Sequence, residues 1–150
     1  SYNDQKMINI GENRYRLSGV VNFKYQFSPQ WYSESFLLYN WLSDNTHYKA
    51  SPSYTGVLSQ DPSMSLTTYL AYQSPQYWQA YIGLEQMMGT DQHLDGQAYS
   101  KGQKDIKAYV GATIPLDAHN LVHFRYGQTI AMETGYREDN QLILKLSHLW

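Results

Sequence analysis

The 150-residue chain has no cysteine, which removes disulfides and thiolate metal sites. It has no run of about 18 apolar residues, so no helix of it could cross a bilayer; its mean hydropathy is −0.58. It has no basic block. Lys and Arg number 11 against 13 Asp and Glu, a net charge of −2. Nucleic acid is thereby disfavoured as a partner, because phosphate neutralisation needs clustered cations. The five His are scattered without metal-ligand spacing, and no Gly-x-Ser-x-Gly nucleophile elbow is present. No metal, no cofactor and no enzymatic activity are expected. The start, Ser1-Tyr2-Asn3-Asp4, is not a signal peptide. Either a signal has been removed or the sequence begins inside a longer protein.

What is present is alternation. In the last ten residues Leu142, Leu144, Leu146, His148 and Trp150 share one face, and Gln141, Ile143, Lys145, Ser147 and Leu149 the other. A period of two with a greasy face and a terminal aromatic reads as the closing strand of an outer-membrane β-barrel. Low hydropathy does not oppose this, since only every second residue of such a strand meets lipid. Aromatics make up 15% of the chain, led by 15 Tyr, which suits the membrane–water boundary.

Seven strands are expected. The first is about Arg14–Phe27, with Tyr15, Leu17, Val21, Phe23, Tyr25 and Phe27 outward. The second is about Trp31–Ser43, with Leu37, Tyr39 and Trp41 outward. The third is about Met64–Gln73, and the fourth about Tyr77–Met88, with Ile82 and Leu84 outward. The fifth opposes Ile106, Ala108, Val110, Ala112 and Ile114 to Asp105, Lys107, Tyr109, Gly111 and Thr113. The sixth is about Asn120–Gln128, and the seventh is the terminal one. Lengths of about ten residues fit a tilted crossing of the hydrocarbon layer. The connections alternate. Ser28-Pro29-Gln30, Ser74-Pro75-Gln76 and Pro115–His119 are short; Asp44–Ser63, Gly89–Gln103 and Thr129–Asp139 are long and polar. Outer-membrane barrels have short periplasmic turns and long outer loops. Seven is odd, and single-chain barrels are usually even and closed. Either Lys6–Ile10 adds a short eighth strand, or an upstream part of the barrel precedes this chain; the second is preferred.

Leu58-Ser59-Gln60-Asp61-Pro62 is followed by a strand, the Ser74-Pro75-Gln76 turn, Trp78, Met88-Gly89 and Leu94-Asp95-Gly96. Then come Gly111-Ala112-Thr113-Ile114-Pro115-Leu116, Tyr126-Gly127, Gly135 and the closing Trp150. This ordered set resembles the outer-membrane channel family known as the "MetA-pathway of phenol degradation" proteins. The resemblance covers Leu58–Trp150 well and Phe27–Asn45 loosely. It implies an all-β, transmembrane, antiparallel up-and-down barrel of twelve strands, of which residues 1–150 would be the C-terminal portion. It further implies passage of small molecules, hydrophobic or aromatic ones among them, and no catalysis. His148 departs from it, standing where the family commonly has an aromatic residue.

Charges in a spanning strand must face water or one another. The expected lumen set is therefore Arg14, Arg16, Lys24, Glu34, Glu85, Lys107, His123, Arg125 and Lys145. They either line a pore or pair with one another as glue. Tyr81 and Tyr109, with Tyr32, either form a stacking track for aromatic solutes or fill space beside Gly83 and Gly111. Tyr25, Phe27, Trp31, Tyr72, Trp78 and Trp150 are read as the periplasmic aromatic girdle. Ser147 and His148 point to opposite faces and form no catalytic pair. The acids Asp91, Asp95, Asp105, Glu133, Glu138 and Asp139 are taken as solvated loop charge. Expected partners are outer-membrane lipid and lipopolysaccharide, the barrel-assembly machinery through the C-terminal strand, and a small solute. The alternatives are a plugged structural or adhesive barrel and a soluble lipocalin-like barrel whose greasy face points inward.

Overall fold

The computed structural model describes residues 14–148. Lys6–Ile10 and Trp150, with the roles expected of them, lie outside that range. Eleven strands are present, not seven or eight: β1 (Arg16–Gln26), β2 (Trp31–Leu42), β3 (Asn45–Ser51), β4 (Tyr54–Gln60), β5 (Ser63–Gln73), β6 (Gln79–Met88), β7 (Gln92–Leu94), β8 (Gln97–Ser100), β9 (Lys104–Pro115), β10 (Asn120–Thr134) and β11 (Gln141–His148). Seven form one antiparallel sheet in the order β1-β2-β5-β6-β9-β10-β11. The other four form a second sheet, β3-β4-β7-β8. The large sheet corresponds strand for strand to the seven expected. It is open: β1 and β11 stand at its two edges among the described residues, so no closed barrel is present.

Register explains why one face of the large sheet is predominantly apolar, with Ser33, Ser35, Thr68, Gln86 and Gln128 as its polar members. Leu37 pairs with Leu66, Leu70 with Ile82, Ile82 with Val110, Val110 with Tyr126, and Phe124 with Leu144. Directly opposed residues share a face, so the greasy sets of seven strands merge into one band. That band is the exposed one: Val110 is 48% exposed, Ile82 64% and Leu144 73%. The opposite face holds the buried groups, including Ala71 at 0% and Tyr109 at 5%. Side chains on two faces of one sheet differ this way when the sheet curls toward its polar side. Each Leu or Ile left in water forgoes roughly 1.5–3 kcal/mol of burial, so this convex face demands an apolar surrounding. A lipocalin-like barrel would have the reverse sidedness.

The short turns close by similar chemistry at one end. The Ser28 hydroxyl accepts from the Gln30 and Trp31 amides at 3.3 and 3.1 Å, and the Ser74 hydroxyl from the Gln76 amide at 3.1 Å. Asp117 does the same with the His119 and Asn120 amides at 2.8 and 2.9 Å. Hydrogen bonds from the Asn120 side chain and the His119 N–H hold the Asp117 carboxyl below its ordinary range. In each turn a side-chain oxygen takes the place of a backbone acceptor.

At the other end the long connections are structured. Asp44–Ser63 contains the β3–β4 hairpin and Gly89–Gln103 the β7–β8 hairpin, and β4 pairs with β7. The β7–β8 turn is Asp95-Gly96, both with positive φ, at 51° and 79°. That is the backbone of a two-residue hairpin matched to strand twist. Asp95 also clamps the two hairpins together. Its carboxylate accepts from the Val57 amide at 2.8 Å and from the Tyr54 hydroxyl, while its own amide donates to the Val57 carbonyl at 2.9 Å. The Tyr54 hydrogen bond, then the Val57 bond, lower the Asp95 pKa, and the same contact raises that of Tyr54. Asp95 is therefore not the loosely solvated loop charge expected of it.

Two outcomes are expected from this architecture. Val110→Arg, at the centre of the convex face, should destabilise the lipid-inserted protein by about 2–4 kcal/mol, while Thr113→Arg on the other face should cost much less. Urea unfolding from lipid vesicles measures both; equal losses would contradict the sidedness. The second concerns pH. A depressed carboxylate pKa adds stability that is complete above the unfolded value and is lost as pH falls through the folded one. Hydrogen-exchange protection of the Val57 amide should survive mild acid and fail only below the ordinary carboxylate range. Asp95→Asn should flatten that dependence, and an unchanged acid transition in the variant would refute the clamp.

Candidate functional site

The concave face is built of rows, one residue per strand, running across the ladder. One row is Lys24, Glu34, Tyr69, Gly83, Tyr109, Gly127 and Gln141. The next is Gln26, Tyr32, Ala71, Tyr81, Gly111, Arg125 and Ile143. Tyrosines and glycines thus oppose one another. The Tyr109 ring lies across Gly83, where a Cβ would sit 2.6 Å from the ring, and the Tyr81 ring lies across Gly111 at 2.4 Å. Bare backbone opposite a large side chain lets the ring lie flat on the sheet. The rings then meet. Centroids are 6.1 Å apart for Phe36–Tyr69, 5.7 Å for Tyr69–Tyr81 and 6.0 Å for Tyr81–Tyr109. Tyr32 joins from the side, 6.3 Å from Tyr69. Each such pair adds about 0.5–1.5 kcal/mol beyond area burial. The Tyr32 hydroxyl accepts from Gln79 Nε2 at 2.5 Å.

Charge is distributed around this aromatic pavement. The Arg125 guanidinium lies 4.2 Å from the Tyr109 ring centroid and donates to Glu85 Oε2 at 3.2 Å. The Lys24 ammonium stands 3.9 Å from the centre of Tyr32. Glu34 accepts from the Tyr69 hydroxyl and from Asn22 Nδ2, the latter at 2.8 Å. Lys107 donates to Glu138 Oε2 at 2.9 Å. His123 shares a hydrogen bond of 3.0 Å with Thr113, its cross-strand neighbour. Cation–ring contacts and charge-assisted hydrogen bonds of this kind hold ionised groups beside apolar rings, although Arg125 Nε itself is buried without a hydrogen-bond partner.

The expected lumen residues distribute unevenly. Glu34, Tyr81, Glu85, Lys107, Tyr109, His123 and Arg125 gather on the concave face. Lys24 on β1 and Lys145 on β11 share that face, yet both are exposed because they sit on edge strands. Arg16 is exposed as well, and Arg14 precedes β1 and donates to Gln60 at 3.1 Å. Two acids expected in solvated loops are engaged elsewhere. Asp105 is 3% exposed and accepts from Gln103 at 2.6 Å, and Glu138 turns in to Lys107. Three contributors go unread in the sequence. Tyr69 follows the period of its inward neighbours and was legible. Phe36 is masked by being apolar on the charged face, and Glu138 by lying in a loop.

The girdle aromatics sit together on the convex face near the short turns. Trp31 meets Tyr72 at 5.2 Å, Tyr72 meets Trp78 at 5.4 Å, and Tyr25 meets Phe27 at 4.9 Å. Among the described residues no three His, Asp or Glu side chains converge as metal ligands.

An antiparallel meander with one apolar face carrying aromatics near its short turns and one charged, tyrosine-paved face is consistent with a β-barrel-type fold. The chain belongs to the family described as "MetA-pathway of phenol degradation", whose pattern matches residues 1–140. Its fold is that of an outer membrane channel from Pseudomonas putida F1, known from a crystal structure. The two share 23% identity and a TM-score of 0.84, over 100% of this chain and 55% of that one. No curated protein sequence matches the chain.

The tyrosine–glycine fit has a direct consequence. Gly111→Ala should cost about 1–3 kcal/mol through overpacking. Adding Tyr81→Ala should restore part of the loss and not all, because the Phe124 carbonyl also lies 2.7 Å from the new Cβ. Thermal or urea unfolding in detergent measures this, and a neutral Gly111→Ala would contradict the packing described.

Proposed function

We propose that residues 1–150 form one continuous part of the wall of a closed, twelve-stranded barrel in the outer membrane, and that the barrel passes small molecules passively, hydrophobic or aromatic ones among them. Family membership and the shared fold support this reading. The observation that carries it is the sidedness of the large sheet, with Val110, Phe124 and Leu144 outward and Lys107, Tyr109 and Arg125 inward. Open edges at β1 and β11 cannot stand in lipid, because each unpaired backbone group there costs several kcal/mol; further strands or ring closure satisfy them. Arg16, Lys24, Glu34, Tyr81, Glu85, Lys107, Tyr109, His123, Arg125 and Lys145, with Arg14 just before β1, are then the pore-lining set. Tyr25, Phe27, Trp31, Tyr72 and Trp78 form the girdle. Outer-membrane lipid, lipopolysaccharide and the assembly machinery at the C-terminal strand are its partners, and it catalyses nothing.

Crowding of the concave face by ring contacts and the Glu85–Arg125 pair favours, as a second reading, a barrel whose lumen is filled. Planar-bilayer recordings on the full-length protein separate the two. Stable conductance steps are expected of the channel and silence of the plugged barrel. Within a conducting protein, Arg125→Glu should shift ion preference toward cations, because charge rings in a narrow aqueous path set ionic selectivity. An unchanged reversal potential would remove Arg125 from the permeation path.

A further inference from the structure

We infer that the segment joining β10 to β11 is a strap folded against the inner wall, and that Glu138 on it sets the ionic preference of the lumen; the inference rests on the channel reading above. The β10–β11 ladder ends at Gly127 and Gln141, yet β10 continues to Thr134. Past Gly127 the strand has lost its β11 partner and is bulged against β9 between Thr129 and Ala131. The loop folds back to this stretch. The Thr129 amide donates to the Glu138 carbonyl at 2.8 Å, and the Glu138 amide donates to the Thr129 hydroxyl at 3.1 Å. Thr129 is only 4% exposed, so its amide needs that partner.

The Glu138 carboxylate points to the wall as well, accepting from Lys107 Nζ at 2.9 Å and from Gln141 Nε2 at 3.3 Å. Lys107 has two other carboxylates in its neighbourhood. Glu85 lies directly opposite it but is bound by Arg125 at 3.2 Å, and Asp105 is bound by Gln103 at 2.6 Å. The strap, not the wall, therefore supplies the counter-charge that Lys107 binds. The setting differs from that of a surface pair. The Lys107 and Glu138 side chains are 16% and 41% exposed, whereas those of Lys104 and Glu133, paired at 2.6 Å nearby, are 54% and 69% exposed. Exposed pairs of that second kind contribute little. A carboxylate carried by a loop onto an inward-facing lysine changes the field along the lumen by one full charge when it leaves.

Two measurements on the full-length protein test this. In planar bilayers under a potassium chloride gradient, Glu138→Gln should raise the ratio of anion to cation permeability about twofold, the effect of one charge several ångströms from the ion path in watery surroundings. The double variant Glu138→Gln with Lys107→Gln should return the ratio to that of the wild type. No shift in Glu138→Gln, with Lys107→Gln alone moving the ratio toward cations, would overturn the assignment. The second measurement needs no conductance. In detergent-folded protein, trypsin should cleave after Arg137 several-fold faster in Lys107→Gln than in the wild type, because the strap has lost its anchor and its own sequence is unaltered. An equal rate would overturn the strap. A folded wild type that never conducts would instead sink the channel reading and leave the protease result to decide whether the strap exists.

Discussion

Cross-strand register is the constraint on which the rest depends. In a sheet the side-chain period is two, so a slip of one residue at any pairing would carry a whole greasy set to the other face. Here no slip occurs among β1, β2, β5, β6 and β9, and the β9–β10 ladder shifts only beyond Thr129. Leu66 meets Leu37, Leu70 meets Ile82, Ile82 meets Val110, and Phe124 meets Leu144. The convex band, the aromatic belt at its turn end and the polar concavity are three consequences of one alignment. A slip would put Lys107 or Arg125 into hydrocarbon, so the lipid environment itself enforces the pairing.

The concavity is held by a different economy of space. Gly83 and Gly111 carry no side chain at the points where Tyr109 and Tyr81 cross the sheet, so four aromatic rings interlock on a surface that would otherwise be a picket of upright side chains. The charges then take positions around the rings. Arg125 bridges Tyr109 to Glu85, and Lys24 caps Tyr32. Arg125, which pins Glu85, also presents its positive charge on the concave side. Of the two roles that the sequence offers these charges, pairing is the one visible in the sheet.

Much of this was legible from alternation alone. The large-sheet strands, the choice of Leu37, Tyr39 and Trp41 as the outward set of β2, and the turn chemistry at Ser28 and Ser74 follow from spacing and residue type. The Asp95-Gly96 hairpin signal was also there, but the polar composition around it reads as loop, and β7 and β8 are only three and four residues long. β10 runs six residues beyond Gln128, because the bulges at Thr129 and Met132 break the period on which its end was judged. Glu138 could not be placed from sequence, since its partner Lys107 lies 31 residues away across a fold-back that no local pattern announces.

These 150 residues carry no cysteine, which suits them to the most direct test of the sidedness. Single cysteines placed in turn at positions 109 to 114 of β9 in the full-length protein can carry a nitroxide label after reconstitution into lipid vesicles. Collision with lipid-dissolved oxygen should then peak at 110, 112 and 114, and collision with a water-soluble paramagnetic reagent at 109, 111 and 113. The same alternation with the phases exchanged, or none at all, would contradict the account.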